Sequence, residues 1–138
     1  MSPSCAFCDI ARGEGPAAVV AREDRFCAFL DTRPVFKGHV LVVPADHVPD
    51  LGALPEADLA PLFSLARRIA AAVEASLGSQ GAFVGINNKV SQSVPHLHVH
   101  VVPRTKGDGL RGFFWPRTKY VKDLERDDYA RRIREALR

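Results

Sequence analysis

Two hydrophobic rhythms run along the chain. Residues 17–31 hold two short apolar runs, Ala17-Ala18-Val19-Val20 and Phe26-Cys27-Ala28-Phe29-Leu30, around the charged stretch Glu23-Asp24-Arg25. Short β-prone runs about a polar turn predict a hairpin. Pro34 to Gly38 breaks the pattern, and His39-Val40-Leu41-Val42-Val43, closed by Pro44, predicts a third, mostly buried strand. From Asp58 the spacing becomes helical. Leu62, Leu65, Ala66, Ile69, Val73 and Leu77 recur at three and four, and Gly78 stops the run. With that start, Pro61 falls in the first turn, where its missing N–H is not needed. Ala82 to Ile86 predicts a fourth strand and His96 to Val102 a fifth, closed by Pro103. Residues 123–137 predict a second amphipathic helix with Tyr129, Ile133 and Leu137 on one side. This order predicts an α+β fold: a five-stranded, mainly antiparallel sheet with one central helix and a C-terminal helix.

Composition narrows the class. With 138 residues, 46% apolar and 25% charged, the chain is expected to form one globular domain over residues 1–138. Disordered, collagen-like and coiled-coil chains are excluded, and no apolar run reaches the ~18–20 residues of a membrane span. Met1–Ile10 lacks the basic-then-apolar order of a secretory signal, so a cytoplasmic location is expected, with no membrane partner. Three cysteines make no disulfide framework there. The net charge of +3 is unevenly placed, because residues 103–138 are basic and residues 1–102 slightly acidic. A solvated helix face explains that better than a nucleic-acid surface.

The chemistry concentrates in His96-Leu97-His98-Val99-His100-Val101-Val102. On an extended chain, positions 96, 98 and 100 share one face, while Leu97, Val99 and Val101 point to the core. Three imidazoles in a row are poor core material, since each carries a donor and an acceptor that must be satisfied. Two chemistries use such a row: metal ligation, and nucleophilic catalysis by an imidazole that its neighbours orient. A metal site of the cupin kind wants a nearby glutamate. The next carboxylate after His100 is Asp108, beyond Pro103, which favours the nucleophile.

These seven residues resemble the His-φ-His-φ-His-φ-φ motif (φ apolar) of the histidine-triad superfamily. Other segments resemble it in the expected order: Cys5-Ala6-Phe7-Cys8-Asp9-Ile10, Ala28-Phe29-Leu30-Asp31, Gly38-His39-Val40-Leu41-Val42-Val43-Pro44 followed by His47, and Gln92-Ser93-Val94-Pro95-His96. The resemblance covers a core of about residues 5–108, leaving an extension and helix over 109–138.

The resemblance implies nucleotidyl chemistry at an α-phosphate. His98 would attack the phosphorus of a purine nucleotide conjugate, and water would hydrolyse the nucleotidyl-histidine. A backbone carbonyl of the triad strand would hold the other nitrogen of His98. His100, Ser93 and Gln92 would contact phosphate oxygens, and His39 would support the triad. Asp31 would take the ribose hydroxyls, Ile10 and Phe29 would sandwich the base, and Asn87 or Asn88 would contact phosphate or ribose. Cys5, Cys8, His47 and His96 resemble the structural zinc site of part of the superfamily, a sound tetrahedral donor set. Cys27 reads as a buried small residue.

Two features refine this. Ser91 stands where members usually carry glycine, and the 87–92 segment is shorter than in the phosphoramidase branch. His100 is retained where transferase-like branches carry glutamine, which implies water as the final acceptor. The expected enzyme is a nucleoside phosphoramidase or dinucleoside polyphosphate hydrolase. The rival is a zinc-stabilised nucleotide-binding regulatory protein with incidental turnover. A homodimer with the sheet continued across the interface is implied. Arg104 and Lys106 suit a polyphosphate tail or plain surface charge, and Phe113, Phe114 and Trp115 either a substrate mouth or a partner subunit.

Overall fold

Alternation along the central strands sends their side chains to two different buried faces, which is why these strands read as unbroken apolar runs. In the computed structural model, which describes residues 5–111 and 117–137, helix α1 (Ala6–Ala11) precedes a hairpin of β1 (Val19–Glu23) and β2 (Phe26–Leu30). Then come β3 (Val40–Pro44), a 3₁₀ turn at Leu51–Ala53, the long helix α2 (Glu56–Leu77), β4 (Gly81–Gly85), β5 (Val99–Arg104) and α3 (Asp123–Ala136). The five strands form one sheet in the order β1-β2-β3-β5-β4, and every neighbouring pair is antiparallel. Phe113, Phe114 and Trp115 lie outside the described residues.

Phe26 and Ala28 of β2, Val40 and Val42 of β3, and Leu97, Val99 and Val101 pack under Leu62, Leu65, Ala66, Ile69 and Val73 of α2. The intervening Cys27, Phe29, Leu41 and Val43 face the other way, against Phe7, Ile10 and Ala11 of α1. The histidine row falls on this second side. The alternation expected across residues 96–101 therefore holds, and Cys27 is buried as expected.

Most boundaries shift by a residue, and three differ from the expectation for a clear reason. Helix α2 begins at Glu56, two residues early, so Pro61 sits in its second turn. The carbonyl thereby deprived of a donor belongs to Ala57, which is exposed and open to water. Strand β5 runs through Pro103, which pairs with Ala82 of β4. Its missing N–H is harmless because pairing with β3 has already ended at Val101 opposite Val40. At its other end the ladder starts only at Val99. Opposite His96–His98, β3 has reached Pro44, which has no N–H to donate and gives its carbonyl to the His96 side chain.

Helix α1 is an element that the hydrophobic pattern did not announce. Six residues are too few to show a clear period, and a helix so short relies on packing. Gly38 turns the chain into β3 at φ +99°, a conformation that favours glycine.

The chain divides into two compact units, Met1–Asp108 and Gly109–Arg138. In the second, α3 buries none of its described residues and carries its own pairs, such as Asp128 with Arg131 and Arg131 with Glu135. Among the described residues, no helix is long and apolar enough to cross a membrane.

Candidate active site

The row of histidines is set up by hydrogen bonds that decide which nitrogen of each ring carries a proton. Nδ1 of His98 donates to the carbonyl of His96 at 2.7 Å. A carbonyl can only accept, so Nε2 of His98 keeps a free lone pair. His98 itself is buried but lines a cleft of about 560 Å³. A pocket of that size suits a small-molecule ligand.

His100 is ordered from the opposite side. The Val35 amide donates to Nδ1 of His39 at 3.1 Å, which leaves Nε2 of His39 protonated. That nitrogen donates to Nδ1 of His100 at 2.9 Å. Nε2 of His100 must then carry the ring proton, and this buried atom has no hydrogen-bond partner. A buried donor without an acceptor costs about 1–3 kcal/mol, so it marks a place where a ligand oxygen belongs. Burial first, and then the neighbouring His98 and His39, push the His100 imidazole down to about 4. Burial also lowers His39, against the pull of Asp31. Both rings are therefore neutral near pH 7.

The same cleft is lined by Phe7, Ile10, Phe29, Asp31, Ser93, His98 and His100, among others. Six expected residues (Ile10, Phe29, Asp31, Ser93, His98 and His100) are thus brought together, with His39 bonded behind His100. Asp31 is held at the cleft by the Arg33 amide, which donates to its Oδ1 at 2.9 Å. Phe29 is buried and packs edge-on against Phe7, with centroids 5.3 Å apart.

Two expected residues stand elsewhere. The Gln92 amide donates to the Pro49 carbonyl at 2.6 Å and accepts from the Lys89 amide, outside the cleft lining. Asn87 is exposed and also outside it, while Asn88 accepts from the Leu51 amide. Arg104 is held by Asp108 at 2.6 Å and does not reach the cleft. Phe7 was given no role from sequence, yet its ring meets that of His98 edge-on at a centroid distance of 5.1 Å. No local signal announced it, because a six-residue helix is too short for its period to show.

Beside the cleft, Cys5, Cys8, His47 and His96 offer four donor atoms within 4.8 Å of one another. Cys8 Sγ lies 3.3 Å from Nδ1 of His47 and 3.4 Å from Nδ1 of His96, and Cys5 Sγ lies 3.5 Å from the latter. These are close to the edges of a tetrahedron whose bonds are roughly 2.0–2.3 Å long. Nε2 of His96 donates to the Pro44 carbonyl at 2.8 Å, so its Nδ1 lone pair faces the two sulfurs. A ligating imidazole is commonly oriented by such a carbonyl. Without a metal, burial and then the adjacent Cys5 raise the Cys8 thiol to about 11. The four residues fit a cation that takes sulfur and nitrogen.

Comparison with known proteins agrees with this architecture. The HIT domain family model matches residues 12–107. An uncharacterised HIT-like protein of Mycobacterium tuberculosis is 36% identical over 138 residues, covering 96% of this chain and 92% of the relative. The adenosine 5'-monophosphoramidase of Schizosaccharomyces pombe is 32% identical over 115 residues, covering 82% of this chain and 84% of the relative. Among solved structures, a zinc-bound histidine-triad protein from Mycobacterium smegmatis superposes with a TM-score of 0.74 at 35% identity, covering 97% of this chain and 98% of that one. The sheet order, the triad and these matches together make the chain a member of the HIT (histidine-triad) family.

Proposed function

We propose that this protein is a nucleotide hydrolase acting at the α-phosphate of purine nucleotide conjugates, through a nucleotidyl intermediate on His98. The observation that carries the reading is the opposed proton placement on two neighbouring rings. His98 presents a lone pair, held by the His96 carbonyl at 2.7 Å, and His100 presents an unpartnered N–H. A lone pair beside a donor suits attack on a phosphoryl centre whose oxygens gain charge.

In the first step Nε2 of His98 bonds to phosphorus and the bond to the leaving group breaks. The leaving group takes its proton from water, and His100 donates to a phosphate oxygen. In the second step water adds to phosphorus and gives one proton to the hydroxide left by the first step, the N–P bond breaks with its electron pair returning to Nε2 of His98, and the nucleoside monophosphate leaves. Asp31 receives the ribose hydroxyls, Ser93 contacts the phosphate, and Ile10 and Phe29 hold the base. The named activity of the fission-yeast relative, a monophosphoramidase, supports this class of substrate.

Cys5, Cys8, His47 and His96 are the proposed zinc ligands, supported by their spacing and by the zinc-bound relative. Zinc there supplies structural cross-linking, since its four ligands leave no open position for chemistry. A homodimer is proposed through β4, an edge strand whose Val84 is exposed, as are Phe63 and Leu59 of α2. The chain is further proposed to act in the cytoplasm as one HIT domain.

The test is release of nucleoside monophosphate from adenosine phosphoramidate, an aminoacyl-adenylate and diadenosine polyphosphates, assayed in parallel. Rapid quench with a labelled substrate is expected to trap acid-labile, base-stable adenylate on His98. No release from any of the three would sink the reading.

A further inference from the structure

Helix α1 belongs to two sites at once. It contributes Ala6, Phe7, Asp9 and Ile10 to the wall of the His98 cleft. Cys8 lies in the helix and Cys5 is the residue that opens it, so α1 also carries both thiols of the donor cluster. The helix has six residues and no side-chain cap on its N-terminus. Alone it would not persist, because helices shorter than roughly 12–15 residues are marginal in water. What holds it is the packing of Phe7, Ile10 and Ala11, one Arg22 guanidinium on the Ile10 carbonyl at 3.0 Å, and the thiols' approach to His47 and His96.

A second link runs through His96. Its ring faces the thiols, while its carbonyl holds Nδ1 of His98. The Phe7 ring packs edge-on against both His96 and His98. None of Cys5, Cys8, His47 and His96 lines the cleft, so the two sites meet through α1, the His96 backbone and Ser93–Val94, which line the cleft and also the hollow beside the donor cluster.

We propose that metal binding at Cys5, Cys8, His47 and His96 and nucleotide binding in the His98 cleft are reciprocally coupled through α1, each strengthening the other. A metal that ties both ends of the Cys5–Cys8 turn to His47, just past β3, and His96, just ahead of β5, fixes Phe7 and Ile10 in the cleft wall where a base would rest. The nucleotide then pays less ordering cost. Linkage requires that the nucleotide strengthen metal binding by the same factor. The inference rests on the nucleotide-site reading above and adds a means of regulation to it: zinc supply sets nucleotide affinity without touching the nucleotide.

The experiment measures zinc affinity of the wild-type chain with a competing chromophoric chelator, with and without saturating AMP, and AMP affinity by calorimetry on zinc-loaded and zinc-free protein. Zinc is expected to bind about tenfold more tightly with AMP present, and AMP about tenfold more tightly with zinc present. If the zinc-free chain unfolds, the first measurement stands alone, since it uses only wild-type protein that binds zinc. His47→Ala, which lies outside the cleft, is expected to weaken zinc binding and, at limiting zinc, AMP binding with it. Zinc affinity unchanged within about twofold by AMP would overturn the coupling and leave the hydrolase reading intact, as would equal AMP affinity with and without zinc. Zinc-loaded protein that binds no AMP would overturn both.

Discussion

Nε2 of His39 stands 2.9 Å from Nδ1 of His100, and this one hydrogen bond puts the ring proton of His100 on its unpartnered Nε2. His39 is not among the residues that line the cleft, and under the proposed mechanism its part is to position His100. His39→Phe removes the donor and frees His100 to adopt either tautomer. We expect kcat to fall roughly 10- to 100-fold with KM within about threefold. Nitrogen NMR of His100 should show mixed tautomers, a change that simple loosening of the fold would not produce.

His98→Ala is expected to lower turnover by at least ~10³-fold, because the covalent route disappears while the pocket remains. AMP affinity should stay within about threefold. His100→Ala should cost about 10²–10³-fold, the usual effect of removing one donor to a developing oxyanion. Wild-type turnover in His98→Ala would refute the mechanism.

Stability should fall with acid over a defined window. The folded state lowers the His100 imidazole to about 4 and lowers His39 as well. Between about pH 6.5 and pH 4 the unfolded chain binds more protons than the folded one, so stability falls as pH falls. It is fully present above about pH 6.5. Denaturant titrations across this range should show the slope, and His100→Phe should flatten it.

Arg25 of the hairpin turn donates to the buried Asp58 carboxylate of α2 at 2.8 Å, tying β1–β2 to the helix start. Arg25→Ala strands that carboxylate. Because the Arg25 side chain is itself 56% exposed, the cost is expected at the low end for a charged hydrogen bond, about 1 kcal/mol. Urea unfolding measures it, and kcat should not change.

Ser91 occupies φ +61°, in the left-handed region. That position is where the family usually carries glycine, which enters this conformation freely. Ser91→Gly is expected to gain roughly 0.5–1 kcal/mol, relief of backbone strain partly offset by the entropy of a freer unfolded chain. A melting temperature below wild type would contradict this.

Period and composition alone determined much of the molecule. The unbroken β-branched run Val40–Val43 and the 3–4 spacing of Leu62 to Val73 named the central strand and helix, because a strand buried on both faces and a helix buried on one leave those patterns. The histidines at 96, 98 and 100 declared a shared face for the same reason, and the family motif collected His39, Asp31, Phe29 and Ile10 around them. Local pattern was silent where no period had room to develop or where a partner lies far along the chain. Helix α1 is one such case. The Val35 amide and the Pro44 carbonyl are others, since backbone groups have no letter in a sequence, whereas the family resemblance did imply a triad-strand carbonyl behind His98. His98 is made an acceptor by its own segment, but the Val35–His39–His100 chain of hydrogen bonds is tertiary, and it makes His100 a donor. The 87–93 loop shows the same limit: its register sends Gln92 to Pro49 rather than to the cleft. Side-chain type could suggest a phosphate contact there, but the path of the backbone decides what the side chain can reach.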